Sequence, residues 1–342
     1  MSMSVIATAA AAWAAFALQA AEPSVEDRAQ TVFETAAAAY PALNATVMVN
    51  GEIVWEAEGG VDRQPADGVA TDYNFYSISK MLTGLAFERL AGTGRLDLDT
   101  PVRALDPDLP AHYAGVTVRH LLDHTGGVRH YSSEGDWVAF ADRRCAVPAE
   151  ALGHFIDDPL AAEPGTAFQY TTYGYVLLSH LLVEVTGSDS FDAAMRDALG
   201  ETYRAHRDSE GADKATNRVG EPGDWQVYED ASAECKFGGG GLLASSRDLA
   251  AMGAALYQGD IVDVARFAEE RPYWSGRADE LDLTYAAHSG GSPGGRAFLL
   301  VYLEPQVAVA LTGNYDGPNL QDAAIALADL FAGLPAADRP AD

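Results

Sequence analysis

Tyr76-Ser77-Ile78-Ser79-Lys80 sets a hydroxyl and an amine three positions apart. On a helix, residues so spaced share a face one turn apart. A serine hydroxyl is a weak nucleophile because its proton is hard to remove, and a neutral lysine amine within hydrogen-bond reach can take that proton. Lysine is neutral near pH 7 only where it is desolvated or lies beside another cation. Ile78, Met81, Leu82 and Leu85 supply apolar surroundings. A helix N-terminus adds free N–H groups where negative charge would develop. The chemistry would be nucleophilic attack on an amide or ester carbonyl. The pair alone does not decide this, because an ordinary helix start capped by Ser77 or Ser79 uses the same residues.

Two later segments strengthen the reading. Pro164-Gly165-Thr-Ala-Phe-Gln-Tyr170-Thr171-Thr172 precedes an apolar helix that Gly187 stops. Ala287-His288-Ser289-Gly290-Gly291 comes just before a strand at Arg296–Leu303. With these in view, the chain resembles the serine β-lactamase and penicillin-binding-protein superfamily. That family follows S-x-x-K with a Y-x-N or S-x-N motif and a late K-T-G motif. The likeness runs from about residue 40 to 315. It includes Leu96-Asp-Leu-Asp-Thr-Pro-Val102, Leu121-Leu-Asp-His124-Thr-Gly-Gly-Val-Arg-His-Tyr131 and Gly239-Gly-Gly-Leu-Leu-Ala-Ser-Ser-Arg-Asp248-Leu249. The Arg-His-Tyr ending, with Tyr-x-Thr and His-x-Gly-Gly as motifs two and three, is similar to the mitochondrial β-lactamase-like serine peptidases and their bacterial relatives.

The resemblance implies Ser77 as nucleophile, Lys80 as proton acceptor and Tyr170 as the proton shuttle. It implies an oxyanion hole from the N–H groups of Ser77 and Gly291, and substrate contacts from Thr172, His288, Ser289 and Gly290. Two departures matter. Thr172 replaces the usual Asn, and His288 replaces the usual Lys. A histidine only partly charged at pH 7 holds a carboxylate less firmly. A peptidase or esterase is therefore expected ahead of a β-lactamase or D-Ala-D-Ala carboxypeptidase. A catalytically weak scaffold or binding protein on the same fold is the rival. Arg296 is an alternative partner for a carboxylate, and no metal or organic cofactor is required.

Other patterns carry less. Gly290-Gly-Ser292-Pro-Gly294 matches the nucleophile elbow of α/β-hydrolases, but Pro293 lacks the N–H that elbow uses. His120 and His124 are four apart without the central Glu of a zinc protease, and read as structural. Arg129, His130 and Tyr131 either line the cleft or pack their loop.

These residues need elements to hold them. Ser24 to Ala39 reads as a helix, with Ser first and acids in the opening turn. Asn50-Gly51 between β-prone runs reads as a tight hairpin. Residues 77 to about 257 are mostly helical in pattern. Strands return at Ala297–Leu303 and Val307–Thr312, and a last helix runs over Leu320–Phe331. The expected fold is α+β. An antiparallel sheet of N- and C-terminal strands (residues 24–76 and 258–335) is flanked by helices, and a mainly helical lobe (77–257) forms the other side of a cleft.

The composition fits. Of 342 residues, 48% are apolar and 21% charged, which is globular. Fifty acidic residues against 22 basic ones give a net charge of −28. That surface repels nucleic acid and anionic lipid, leaving a small-molecule or peptide substrate as the expected partner, with self-association open. Only Lys80, Lys214 and Lys236 are lysines. Cys145 and Cys235 lack metal or dithiol spacing, and either one disulfide or two separate thiols fits. Val5–Leu18 is an apolar run of signal-peptide length, too short to span a bilayer. Export to the periplasm or medium after loss of residues 1–21 is expected, with no stable membrane insertion of the mature chain. Residues 336–342 read as a tail.

Overall fold

The computed structural model describes residues 22–335, apart from 142, 208–213, 229–232, 260, 265–273 and 279–280. The run read as an export signal and the tail at 336–342 lie outside the described residues. No helix among the described residues is long and apolar enough to cross a membrane.

Helix α1 (Val25–Ala37) starts at Ser24, whose side chain accepts the Asp27 N–H while Asp27 takes the Ser24 N–H in return. Strands β1 (Leu43–Val49) and β2 (Glu52–Gly59) turn at Asn50-Gly51, with φ of 52° and 85°. That backbone is why a two-residue hairpin selects Asn-Gly. Helices α2 (Ile78–Gly92), α3 (Thr172–Thr186) and α4 (Ser246–Gln258) follow. The chain then forms β3 (Ser275–Ala278), β4 (Leu283–Ser292), β5 (Gly295–Tyr302), β6 (Val307–Gly313) and α5 (Gln321–Ala332).

The six strands form one sheet in the order β2-β1-β6-β5-β4-β3, every pair antiparallel. Terminal strands therefore meet in the α+β architecture expected. Side chains alternate across the sheet. Phe298, Leu300 and Tyr302 join Val307, Val309 and Leu311 beneath α1 and α5. Leu299, Val301, Ala308 and Ala310 face the other way, into a core shared with α2, α3 and α4.

Three expectations change. Helix α4, read as the end of the helical segment, lies on the sheet. A Cβ on its Gly253 would sit 2.9 Å from Val301 Cγ2 and 3.0 Å from Leu299 Cδ1, so the missing side chain permits the close approach. The middle segment also carries strands, at His206–Arg207 and Leu242–Ala244, which join Tyr73–Asn74 in one small sheet, and a hairpin at Arg218–Val227. Finally, His288–Gly291 precedes the strand expected, β5, but lies itself within a strand, β4. Its serines and glycines interrupt the apolar alternation that marks strands in a sequence. The two cysteines are joined: the Cys145–Cys235 disulfide ties segments 90 positions apart.

Candidate active site

Ser77 is placed by a short strand and a kink. Tyr73–Asn74 pairs with Leu243–Ala244, and the Phe75 N–H donates to the Leu242 carbonyl at 3.3 Å. Tyr76 then takes φ 46°, with its N–H donating to Asn74 Oδ1 at 2.6 Å. A non-glycine residue in that region costs on the order of 1 kcal/mol and persists only where its surroundings hold it. Here the Tyr76 ring lies against Gly295, where a Cβ would come within 2.3 Å of the phenol oxygen. Asn217 Nδ2 donates to that oxygen at 3.3 Å. Ser77 follows immediately and α2 begins at Ile78.

One turn on, Lys80 is 0% exposed. Its Nζ lies 3.2 Å from Ser77 Oγ, 3.3 Å from Thr172 Oγ1 and 2.6 Å from the Gly239 carbonyl. Burial lowers its pKa to about 7, because the charged form loses its hydration. Gly239 reaches Lys80 because the Leu242–Ala244 strand fastens its segment beside Tyr73–Asn74. Thr172, standing where relatives of the resembled family have Asn, supplies a hydroxyl to the amine.

Tyr170 closes the third side. Burial pushes its pKa up to about 12, and the Ser77 hydroxyl beside it opposes that rise only weakly. Tyr170 therefore stays protonated at neutral pH. Lys80 Nζ is 4.8 Å from the Tyr170 ring centroid.

Strand β4 forms the opposite wall. Beyond Ala286 its outer edge extends past β3, and the Ala287 N–H on that edge donates to the Trp274 carbonyl at 2.8 Å. In an antiparallel strand alternate residues point their N–H to the same side, so those of Ser289 and Gly291 face that edge too. Gly290 brings this edge against Ser77. A Cβ there would lie 2.1 Å from the Phe75 carbonyl oxygen and 3.3 Å from the Ser77 nitrogen. His288 is half-buried, its ring centroid 6.5 Å from that of Tyr170. Burial, reinforced by the Lys80 charge, lowers its pKa to about 4. His288 is thus neutral at pH 7, not partly charged as expected. Arg296 lies across from Gly291 in β5, engaged by Asp316 at 2.7 Å and the Gly317 carbonyl at 3.2 Å.

The structure therefore brings Ser77, Lys80, Tyr170, Thr172 and His288–Gly291 into one place. Beside them stand His124, read from the sequence as structural, and His130, read as lining the cleft or packing its loop. His124, at φ 56°, accepts the Thr171 N–H through Nδ1 at 3.1 Å, and its ring lies 4.6 Å from that of Tyr170. His130 Nδ1 accepts the Thr172 N–H at 3.2 Å. Both rings satisfy N–H groups at the start of α3, which have no partner within the helix. Acting as acceptors requires them neutral. Burial first and the Lys80 charge second lower His124 to about 2 and His130 to about 4. The signal for both was the Leu121–Tyr131 stretch itself. Among the described residues no group of three or more His, Cys, Asp or Glu could hold a metal ion.

Residues 28–334 match the family described as Beta-lactamase. The chain belongs to that family. The human mitochondrial serine beta-lactamase-like protein LACTB is 27% identical in a match covering 44% of this chain and 40% of its own. The chain spans less than half the length of the curated relatives it matches. Among solved structures, the octameric penicillin-binding protein homologue from Pyrococcus abyssi superposes with a TM-score of 0.70 at 24% identity, covering 87% of this chain and 74% of that one. The D-amino acid amidase from Ochrobactrum anthropi gives 0.72 at 18% identity, covering 90% and 99%. At such identities these structures share the fold.

Proposed function

We propose that this chain is a serine hydrolase that works through an acyl-enzyme on an amide or ester carbonyl, as a peptidase or esterase. The observation that carries this is the buried Lys80 amine, 3.2 Å from Ser77 Oγ. A neutral amine has two N–H bonds and one lone pair. With the two N–H bonds given to the Gly239 carbonyl and Thr172 Oγ1, the lone pair is left for the Ser77 hydroxyl proton. Ser77 then attacks the carbonyl carbon, and the oxyanion forms near the Ser77 and Gly291 N–H groups. Tyr170, protonated and beside Ser77, passes its proton to the leaving group and recovers one from Lys80. Water reverses the sequence to release the acid. A neutral His288 gives no cation at motif three, which supports uncharged leaving sides over carboxylate-terminated ones.

A fluorophosphonate probe tests the reading. Intact mass should show one adduct on wild type and none on Ser77→Ala. Equal labelling of both, or labelling of neither, points to the non-catalytic scaffold. Turnover of nitrocefin above that of a p-nitrophenyl ester or peptide panel would make it a lactamase. The disulfide supports the export reading, since such bonds persist in oxidising compartments. Free thiols on the cell-derived protein would count against it.

A further inference from the structure

His130 has work left over after holding α3. Its Nδ1 accepts a backbone N–H, that of Thr172. A backbone N–H can only donate, so the proton of the neutral ring sits on Nε2. Burial and the charges of Lys80 and Lys236 lower its pKa to about 4, so this tautomer persists through neutral pH. Nε2 makes no hydrogen bond among the described residues, and the side chain is only half-buried. The ring stands edge-on to Tyr170, with centroids 5.9 Å apart, and packs on Tyr131 at 4.3 Å.

The ring is also held firmly. The neighbouring Arg129 is gripped by Asp136 and Asp158, each at 2.6 Å. The Arg129 carbonyl accepts from Thr171 Oγ1 at 2.6 Å. The side chain beside Tyr170 is therefore a fixed, uncharged N–H donor open to solvent. Lys80 is engaged with Thr172 and Gly239, and the Tyr170 phenol stands beside Ser77 itself.

We propose that His130 is a specificity-determining residue whose Nε2–H holds a second carbonyl, one carried by the acyl group of the substrate. The favoured acyl group is then an N-acylated amino acid or peptide rather than a plain alkanoyl chain. This rests on the acyl-enzyme reading above and adds a preference to it. A site with a donor placed for a substrate carbonyl discriminates against a substrate that lacks the acceptor.

The test compares two p-nitrophenyl esters of matched acyl length, N-acetylglycinate and pentanoate, on wild type, His130→Asn and His130→Gln. Asparagine can keep the acceptor for the Thr172 N–H but cannot reach as Nε2 does, whereas glutamine can place a donor near the Nε2 position. Wild type should prefer the N-acetylglycyl ester. His130→Asn should lose about tenfold more in kcat/KM on that ester than on pentanoate, the scale of one hydrogen bond. His130→Gln should retain the preference. Equal losses on both esters, a greater loss in Gln than in Asn, or a wild type indifferent to the second carbonyl would overturn the assignment while leaving Ser77 as nucleophile. Failure of wild type to form the fluorophosphonate adduct would overturn the parent reading and this one with it. Melting temperatures of the variants separate loss of fold from loss of preference.

Discussion

Ser77 and Lys80 stand on one turn of one helix, whereas Gly290 and Gly291 come from a strand far later in the chain. The first wall of the site is local: α2 positions amine and hydroxyl by its own geometry. The second wall is a matter of approach, because β4 can meet Ser77 only where a side chain is missing. One wall carries the proton chemistry and the other carries the place where charge develops. Substitutions in the two should therefore fail in different ways.

The largest expected effect is on the helix. Lys80→Ala should slow fluorophosphonate labelling by about 10³-fold, within the range for loss of a positioned base, with cooperative melting retained. Labelling at near the wild-type rate would put the base elsewhere. On the strand, Gly290→Ala would drive a Cβ to 2.1 Å from the Phe75 carbonyl and push β4 from Ser77. A loss of about 10² in kcat, with KM little changed, is the scale of one lost oxyanion donor. An unchanged kcat would mean that the edge plays no part in stabilising charge.

The pH profile belongs to the helix wall. Lys80 acts when neutral, and its pKa of about 7 makes kcat/KM rise about tenfold from pH 6 to 8 and then level off. A profile flat over that range would detach the base from Lys80. The smallest effect is expected at His288. Already neutral, it carries no charge to lose, so His288→Ala should alter the ratio of acidic to capped substrates by less than about threefold. A selective loss on acidic substrates would show that the imidazole is charged when substrate is bound.

The contrast between the walls also explains what could be read in advance. Ser77, Lys80 and the helix that holds them follow from i, i+3 spacing and apolar periodicity. The terminal strands and the Asn50-Gly51 turn were legible for the same local reason. Strand β4 was not, because the residues that let it pass close to Ser77 are the ones that erase a strand's pattern. Helix α4 had a clear helical sequence, but nothing in it told which layer it would cover. His124 and His130 were legible as part of a stretch and illegible as partners of α3, since the N–H groups they satisfy belong to Thr171 and Thr172.

The order of residues by itself determined that a hydroxyl and an amine would share a helical face, and that strands from the two ends would be available for one sheet. Folding decided the protonation of the site. Water is excluded from Lys80 only when α2, α3 and the Gly239 segment close around it, and that exclusion, acting with the Lys80 charge, keeps three nearby imidazoles neutral. Covalent sequence sets which groups are present. Burial, a property of the whole packed chain, sets their charge.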